Sequence, residues 1–163
     1  MTDQGQTARP VRYRGRLRGF LTMPLADKAT LAIAWLLLAL AALVIRWIPF
    51  RRLTPLLGRQ IGAVGCIPLV TARQEDRARL VKRAVRRAAT LSPWRNDCLP
   101  QALVGAALCR AVNVPVTTHL GVRLNGTAPL EAHAWTCSGK VAVTGGQAFV
   151  DWMPVSCFAA LRR

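Results

Sequence analysis

Two histidines are all the imidazole this 163-residue chain has, and no closely spaced ligand pair surrounds His119 or His133. A metal centre is therefore not expected. The five cysteines, at 66, 98, 109, 137 and 157, contain no C-x-x-C pair and no Cys/His ligand spacing. An odd count of that kind argues against a disulfide framework and against structural zinc, and a reducing cytoplasm is its simplest setting. Neither a G-x-x-x-x-G-K-[ST] loop nor a G-x-G-x-x-G turn is present, so no nucleotide cradle is expected, and Gly62, Gly65, Gly145 and Gly146 read as connectors. No cofactor is implied. Acid is the remaining shortage: 7 Asp/Glu stand against 23 Lys/Arg, for a formal charge of +16. Residues 1–95 hold 18 Lys/Arg against 4 acids, and residues 96–163 hold 5 against 3, so the basic field belongs to the N-terminal part. Its arginines are not interleaved with aromatics and match no reader motif, so nucleic acid is not expected as a partner. They serve equally well as solvated helix surface or as a dock for an acidic precursor or partner.

What the chain has is apolar bulk, 52% of its residues, ample for one core. Residues 1–26 read as a flexible basic arm. A helix is expected from an Asp27 N-cap to about Trp47, ending before Pro49. It is apolar on every side, so it is wrapped by its own domain, docked on a partner or placed in lipid. Between Lys28 and Arg46 lie 17 uncharged residues, about 25 Å of helix against a hydrocarbon core of about 30 Å, marginal for a span. Ala39-Leu40-Ala41 offers small residues for signal cleavage, but the apolar run continues through them, which is not how a cleavage region reads. The expected location is cytoplasmic, with peripheral membrane contact through 31–45 as an option. The Pro- and Gly-rich stretch 49–70 predicts a short helix over 51–57 and then a connector, closing a segment 27–70 ahead of a domain 71–163.

Over 74–91, Ala78, Val81, Ala84, Val85, Ala88 and Leu91 recur at helical spacing with arginines around them. The next helix is expected from Asp97 to about Val112, where Asn113 and Pro115 end it. Its small residues Cys98, Ala102, Gly105 and Cys109 form a stripe able to approach a sheet closely. After Pro115 the period becomes two: Val116, Thr118, Leu120, Val122 and Leu124 share one face, and Thr117, His119 and Arg123 the other. Asn125-Gly126 opens a loop, 130–137 and 141–144 predict a hairpin, and 147–155 a further strand. Helices followed by an antiparallel sheet make an α+β domain.

A cysteine in the first turn of a helix is the feature that points to chemistry. Unpaired N–H groups there favour a thiolate, although Asp97 beside it works against one. A thiol nucleophile also needs an imidazole within hydrogen-bond reach. His133 is the better candidate, since alternation puts it on one face with Trp135 and Cys137, the face expected to meet the small-residue stripe. His119 reads as an exposed or edge histidine, and Trp94, Trp135 and Trp152 as core anchors.

The segment "PWRNDCLPQALVGAALCRAVNVPVTTHLGVRLNG", with "EAHAWTCSGKVAV" after it, closely resembles the B2-type leader peptidases of lasso peptide biosynthesis, members of the transglutaminase-like, papain-related cysteine proteases. The matching pieces are the "CLPRAL"-like helix start at Cys98–Leu103, the "GV" strand at Gly121-Val122 and the "AHAW" strand at Ala132–Trp135. The apolar helix ending in "IPFRRL" and the basic "VKRAVRRAA" helix extend the likeness over about 27–144. The resemblance implies a transglutaminase-like fold for 71–163, Cys98 as nucleophile and His133 as general base and acid. It implies a precursor whose leader is cut away, often with threonine just before the last leader residue. It also implies a separate leader-recognition (RRE-type) protein, for which the residues ahead of the first helix leave no room, and an ATP-dependent cyclase. The family generally carries an orienting aspartate after the "AHAW" hairpin, where this chain has Thr144 and Gly145. Asp151, Thr144 or a backbone oxygen is left to hold the ring. A catalytically inactive, membrane-associated basic adaptor of papain-like fold is the rival reading.

Overall fold

The computed structural model describes residues 24–63, 65–94, 97–124, 129–146 and 151–161. The expected arm up to residue 23 and the Asn125-Gly126 turn lie outside them. Helix α1 spans Leu25–Trp47, starting behind Pro24 rather than at Asp27. Proline needs no helical N–H partner at that point, and Asp27 sits instead in the first turn, where its carboxylate faces the positive end of the helix. Helix α2, Phe50–Leu57, follows after Pro49. The stretch expected as a connector then contributes a strand, β1, Arg59–Gly62.

Helix α3, Ala72–Leu91, opens on a capping box: the Gln74 N–H donates to Thr71 Oγ1, and the Thr71 N–H donates to Gln74 Oε1 at 2.9 Å. Its buried stripe is Ala78, Val81, Ala84, Val85 and Ala88. Leu91, expected on that stripe, is exposed, because it is the last helical residue and the chain leaves the core there. Helix α4 runs Cys98–Ala111, and strands β2 (Val116–Arg123), β3 (Glu131–Ser138), β4 (Val141–Thr144) and β5 (Met153–Ala160) complete the chain. The expected strand over 147–155 is displaced to 153–160; residues 147–150 lie outside the description. Burial of Cys157, Phe158 and Ala159 between β1 and β2 sets that register.

The sheet is antiparallel throughout, in the order β1-β5-β2-β3-β4. Helices α2, α3 and α4 cover one face, and α1 packs on α3 and α4. There Leu38, Val81, Val85 and Leu103 pack with Val116, Val141, Val143 and Phe158 in a single core. The fold is thus the α+β arrangement that the change of period predicts.

The other face carries Thr117, His119, Trp135 and Cys157, and residues 65–70 pass over it. Thr117 Oγ1 donates to the Cys66 carbonyl at 2.8 Å, and the Cys66 N–H donates to His119 Nε2 at 3.3 Å. His119 is therefore fully buried, contrary to the exposed or edge position expected. Alternation shows which residues share a face but not that a loop 50 residues upstream closes over it. Burial lowers the His119 pKa from 6.5 to about 4. The folded pKa lies below the unfolded one, so the unfolded chain binds more protons between them. Stability should be full above pH 6.5, fall as the pH drops through about 4, and level off below. Urea midpoints across that window would show the slope, and His119→Phe should flatten it.

Candidate active site

Cys98 is the first residue of α4, behind the N-cap residue Asp97, whose side chain makes no capping bond. Pro100 occupies the first turn, where its missing N–H removes no helical bond. The thiol is half-buried. Three other thiols are held neutral: burial pushes Cys109 up to about 12, Cys157 to about 12 and Cys137 to about 11, the last opposed by the nearby Lys82 ammonium. Just ahead of Cys98, Trp94 rests on Trp35 of α1 with centroids 4.9 Å apart. The long apolar helix thereby supports the chain that leads into Cys98.

His133 lies on β3 opposite Gly121 of β2. Its Nε2 is 3.1 Å from the Gly145 carbonyl oxygen. A carbonyl only accepts, so the ring donates from Nε2, and in the neutral tautomer the Nδ1 lone pair is left as the base. The ring is further fixed by stacking. Trp152 lies 4.9 Å away on one side, and Trp135 at 6.1 Å continues the stack to His119 at 5.3 Å. The Arg123 guanidinium sits 4.5 Å over Trp152 and pairs with Glu131 at 2.7 Å.

Gly145 has φ +75°, and a Cβ there would collide with the Trp135 side chain. Only glycine lets the chain turn close enough to bring its carbonyl to the ring. Gly145→Ala should accordingly lower any His133-dependent activity by about ten- to a hundredfold, with a loss of about 1–3 kcal/mol of stability. Steady-state kinetics and a denaturant titration would check both.

Asp151 is exposed, in the turn before β5, and among the described residues it makes no bond to His133. The Thr144 hydroxyl is buried without a partner among those residues and does not reach the ring either. Of the three orienting groups considered from sequence, the backbone oxygen is the one found against the imidazole. Trp152 as the ring's cover was not anticipated; its place directly before β5 is fixed by a register that periodicity could not supply.

Helix α4 rests on the sheet face opposite to the one expected. Thr136 Oγ1 donates to the Ala102 carbonyl at 3.4 Å, and a Cβ on Gly105 would stand 2.9 Å from Thr144 Cγ2. Close approach needs short side chains on both partners. Ala134 and Thr136 supply them, whereas Trp135 would not. His133 consequently shares its face with Trp135, away from the body of α4.

The N-terminal ends of α4 and β3 nonetheless lie toward the same end of the domain. Ser138 Oγ donates to the Pro115 carbonyl beyond the C-terminus of α4, while Ala102 lies at Thr136, so α4 and β3 run in the same direction. One helical turn back from Ala102 is about 6 Å along the helix axis, so Cys98 lies on the side of Ala102 toward the start of β3, the strand that carries His133. After β4 the chain stays against the outer edge of β3, with Gly145 close to Ala134 and Trp135. No hydrogen bond joins Cys98 to His133 among the described residues. A cleft of about 340 Å³, bordered by Lys82, Arg86, Gln101, Thr144, Gly145 and Gly146, opens beside the carbonyl that holds the ring.

The profile of the Transglutaminase-like superfamily matches residues 39–156. No curated protein and no solved structure matches the chain.

Proposed function

From the premise that the chain belongs to the transglutaminase-like superfamily, which includes cysteine proteases, we propose that it is a cysteine endopeptidase that removes the leader from a ribosomally made lasso peptide precursor. It acts with a separate leader-recognition protein and an ATP-dependent macrolactam cyclase. The observation that carries the reading is the His133 ring, tied through Nε2 to the Gly145 carbonyl at the end of the sheet where Cys98 heads its helix. Nδ1 takes the thiol proton, and sulfur attacks the scissile carbonyl. The imidazolium then protonates the departing core amine, and water, deprotonated by the same ring, releases the leader from the thioester. Catalytic hydrogen bonds are often long before substrate binds and tighten in the Michaelis complex.

Reconstitution of the purified chain with a precursor peptide and its recognition protein tests this. Mass spectrometry should find a single cut that disappears in Cys98→Ala. Cleavage that survives the substitution, or none with any precursor bearing threonine before the last leader residue, would remove the assignment.

The second reading, a catalytically inactive membrane-associated adaptor, draws on the exposed apolar face of α1 and the missing aspartate. A short pulse of iodoacetamide separates the two. Mapped by peptide mass, Cys98 should be alkylated at least tenfold faster than an ordinary thiol in an enzyme and no faster in an adaptor.

A further inference from the structure

We propose that α1 docks the protein in the plane of an anionic lipid surface, with one side in the bilayer interface and the other in the protein's own core. The helix has two apolar lines. Leu31, Ala34 and Leu38 are buried against α3 and α4. Ile33, Leu36 and Leu40 each lie two residues on, about 200° around the helix, and with Leu43 and Trp47 they are 49, 62, 55, 58 and 77% exposed. A continuous line of large apolar side chains over four turns is not ordinary solvated surface.

Length and composition alone would let Asp27–Trp47 cross a bilayer. Spanning, however, would strip Leu31, Ala34 and Leu38 from the core and uncover the α3 and α4 side chains they cover. Lying flat requires neither. Charge selects lipid over an apolar protein partner. Arg46, Arg51 and Arg52 are exposed where α1 ends and α2 begins, and the sequence ahead of the helix carries Arg9, Arg12, Arg14, Arg16 and Arg18. Basic residues at both ends of an exposed apolar line combine insertion with attraction to anionic headgroups.

Flotation of the full chain with vesicles tests this independently of proteolysis, because Cys98→Ala should bind like wild type. Binding is expected to phosphatidylcholine vesicles holding about one-third phosphatidylglycerol, falling about tenfold with phosphatidylcholine alone or at about 0.5 M salt. Leu36→Glu with Leu40→Glu should lower it at least tenfold while circular dichroism stays unchanged, since both side chains are exposed. Alkaline carbonate should release the bound protein. Retention through carbonate would mean a span and overturn the proposal. So would equal binding by the double variant, or absence of vesicle binding together with a dimer that the double variant dissociates.

Discussion

Replacing His133 with alanine should lower the rate of leader cleavage by about 10³-fold or more while leaving the protein folded. The ring is half-buried, stacks on Trp152 at the margin of the sheet and, among the described residues, hydrogen-bonds to the Gly145 carbonyl, so its loss leaves the main core intact. In the proposed mechanism, what it removes is the group that accepts the Cys98 proton and later delivers it to the leaving amine. Iodoacetamide should then alkylate Cys98 more slowly, so the loss is traced to the nucleophile rather than to peptide binding. Asp151→Asn is the informative companion. With the Gly145 carbonyl on Nε2, it should change kcat by no more than about threefold. A hundredfold loss there would transfer the orienting role to Asp151 and require a rearranged turn ahead of β5. Full activity in His133→Ala would end the imidazole mechanism altogether.

A backbone carbonyl is a weaker anchor for an imidazolium than a carboxylate, because it brings a dipole where the acid brings a charge. The stack of Trp152 and Trp135 on the same ring compensates in position though not in charge. Once substrate has closed the site, a thiolate–imidazolium pair depends less on a third member than a serine triad does, since the sulfur carries its own negative charge.

Much of this was legible in the chain. Helix α3 and its buried stripe follow from a 3.6-residue period, and β2, β3 and β4 from a two-residue period broken at Gly139-Lys140. The place of Cys98 at a helix start follows from Asp97 and Pro100. Periodicity states which side chains share a face without stating what covers it, and so the sheet face under α4 and the burial of His119 were read the wrong way round. Both are decided by distant segments: residues 65–70 crossing over His119, and the short side chains of Ala134 and Thr136 admitting α4. Strand β1 was hidden for a related reason. "RQIG" is short, exposed at every residue and stable only through its pairing with β5, almost 100 residues away. The Gly145 carbonyl leaves no side-chain signature beyond the glycine that admits it.

The largest structural effect should come from Trp135→Ala, a loss of about 3–5 kcal/mol in unfolding free energy. Trp135 is the largest of the fully buried side chains. It fills the space left by the missing side chain of Gly121, where a Cβ would come within 2.6 Å of Cζ3. Removing the indole also takes away the ring lying between His119 and His133. Stability and activity should therefore fall together, but by separable routes. Under conditions where urea titration shows the variant fully folded, kcat should still be down by about tenfold or more, because the stack that fixes the His133 ring is broken. Water entering the vacated volume should raise the His119 pKa from about 4 back toward 6.5, a change proton NMR can follow. Trp135→Phe keeps a ring in the stack and should retain most of the activity at a smaller cost in stability. If Trp135→Ala lost the stability but kept its full kcat when folded, the ring stack would be packing alone, and the orientation of His133 would have to come from elsewhere.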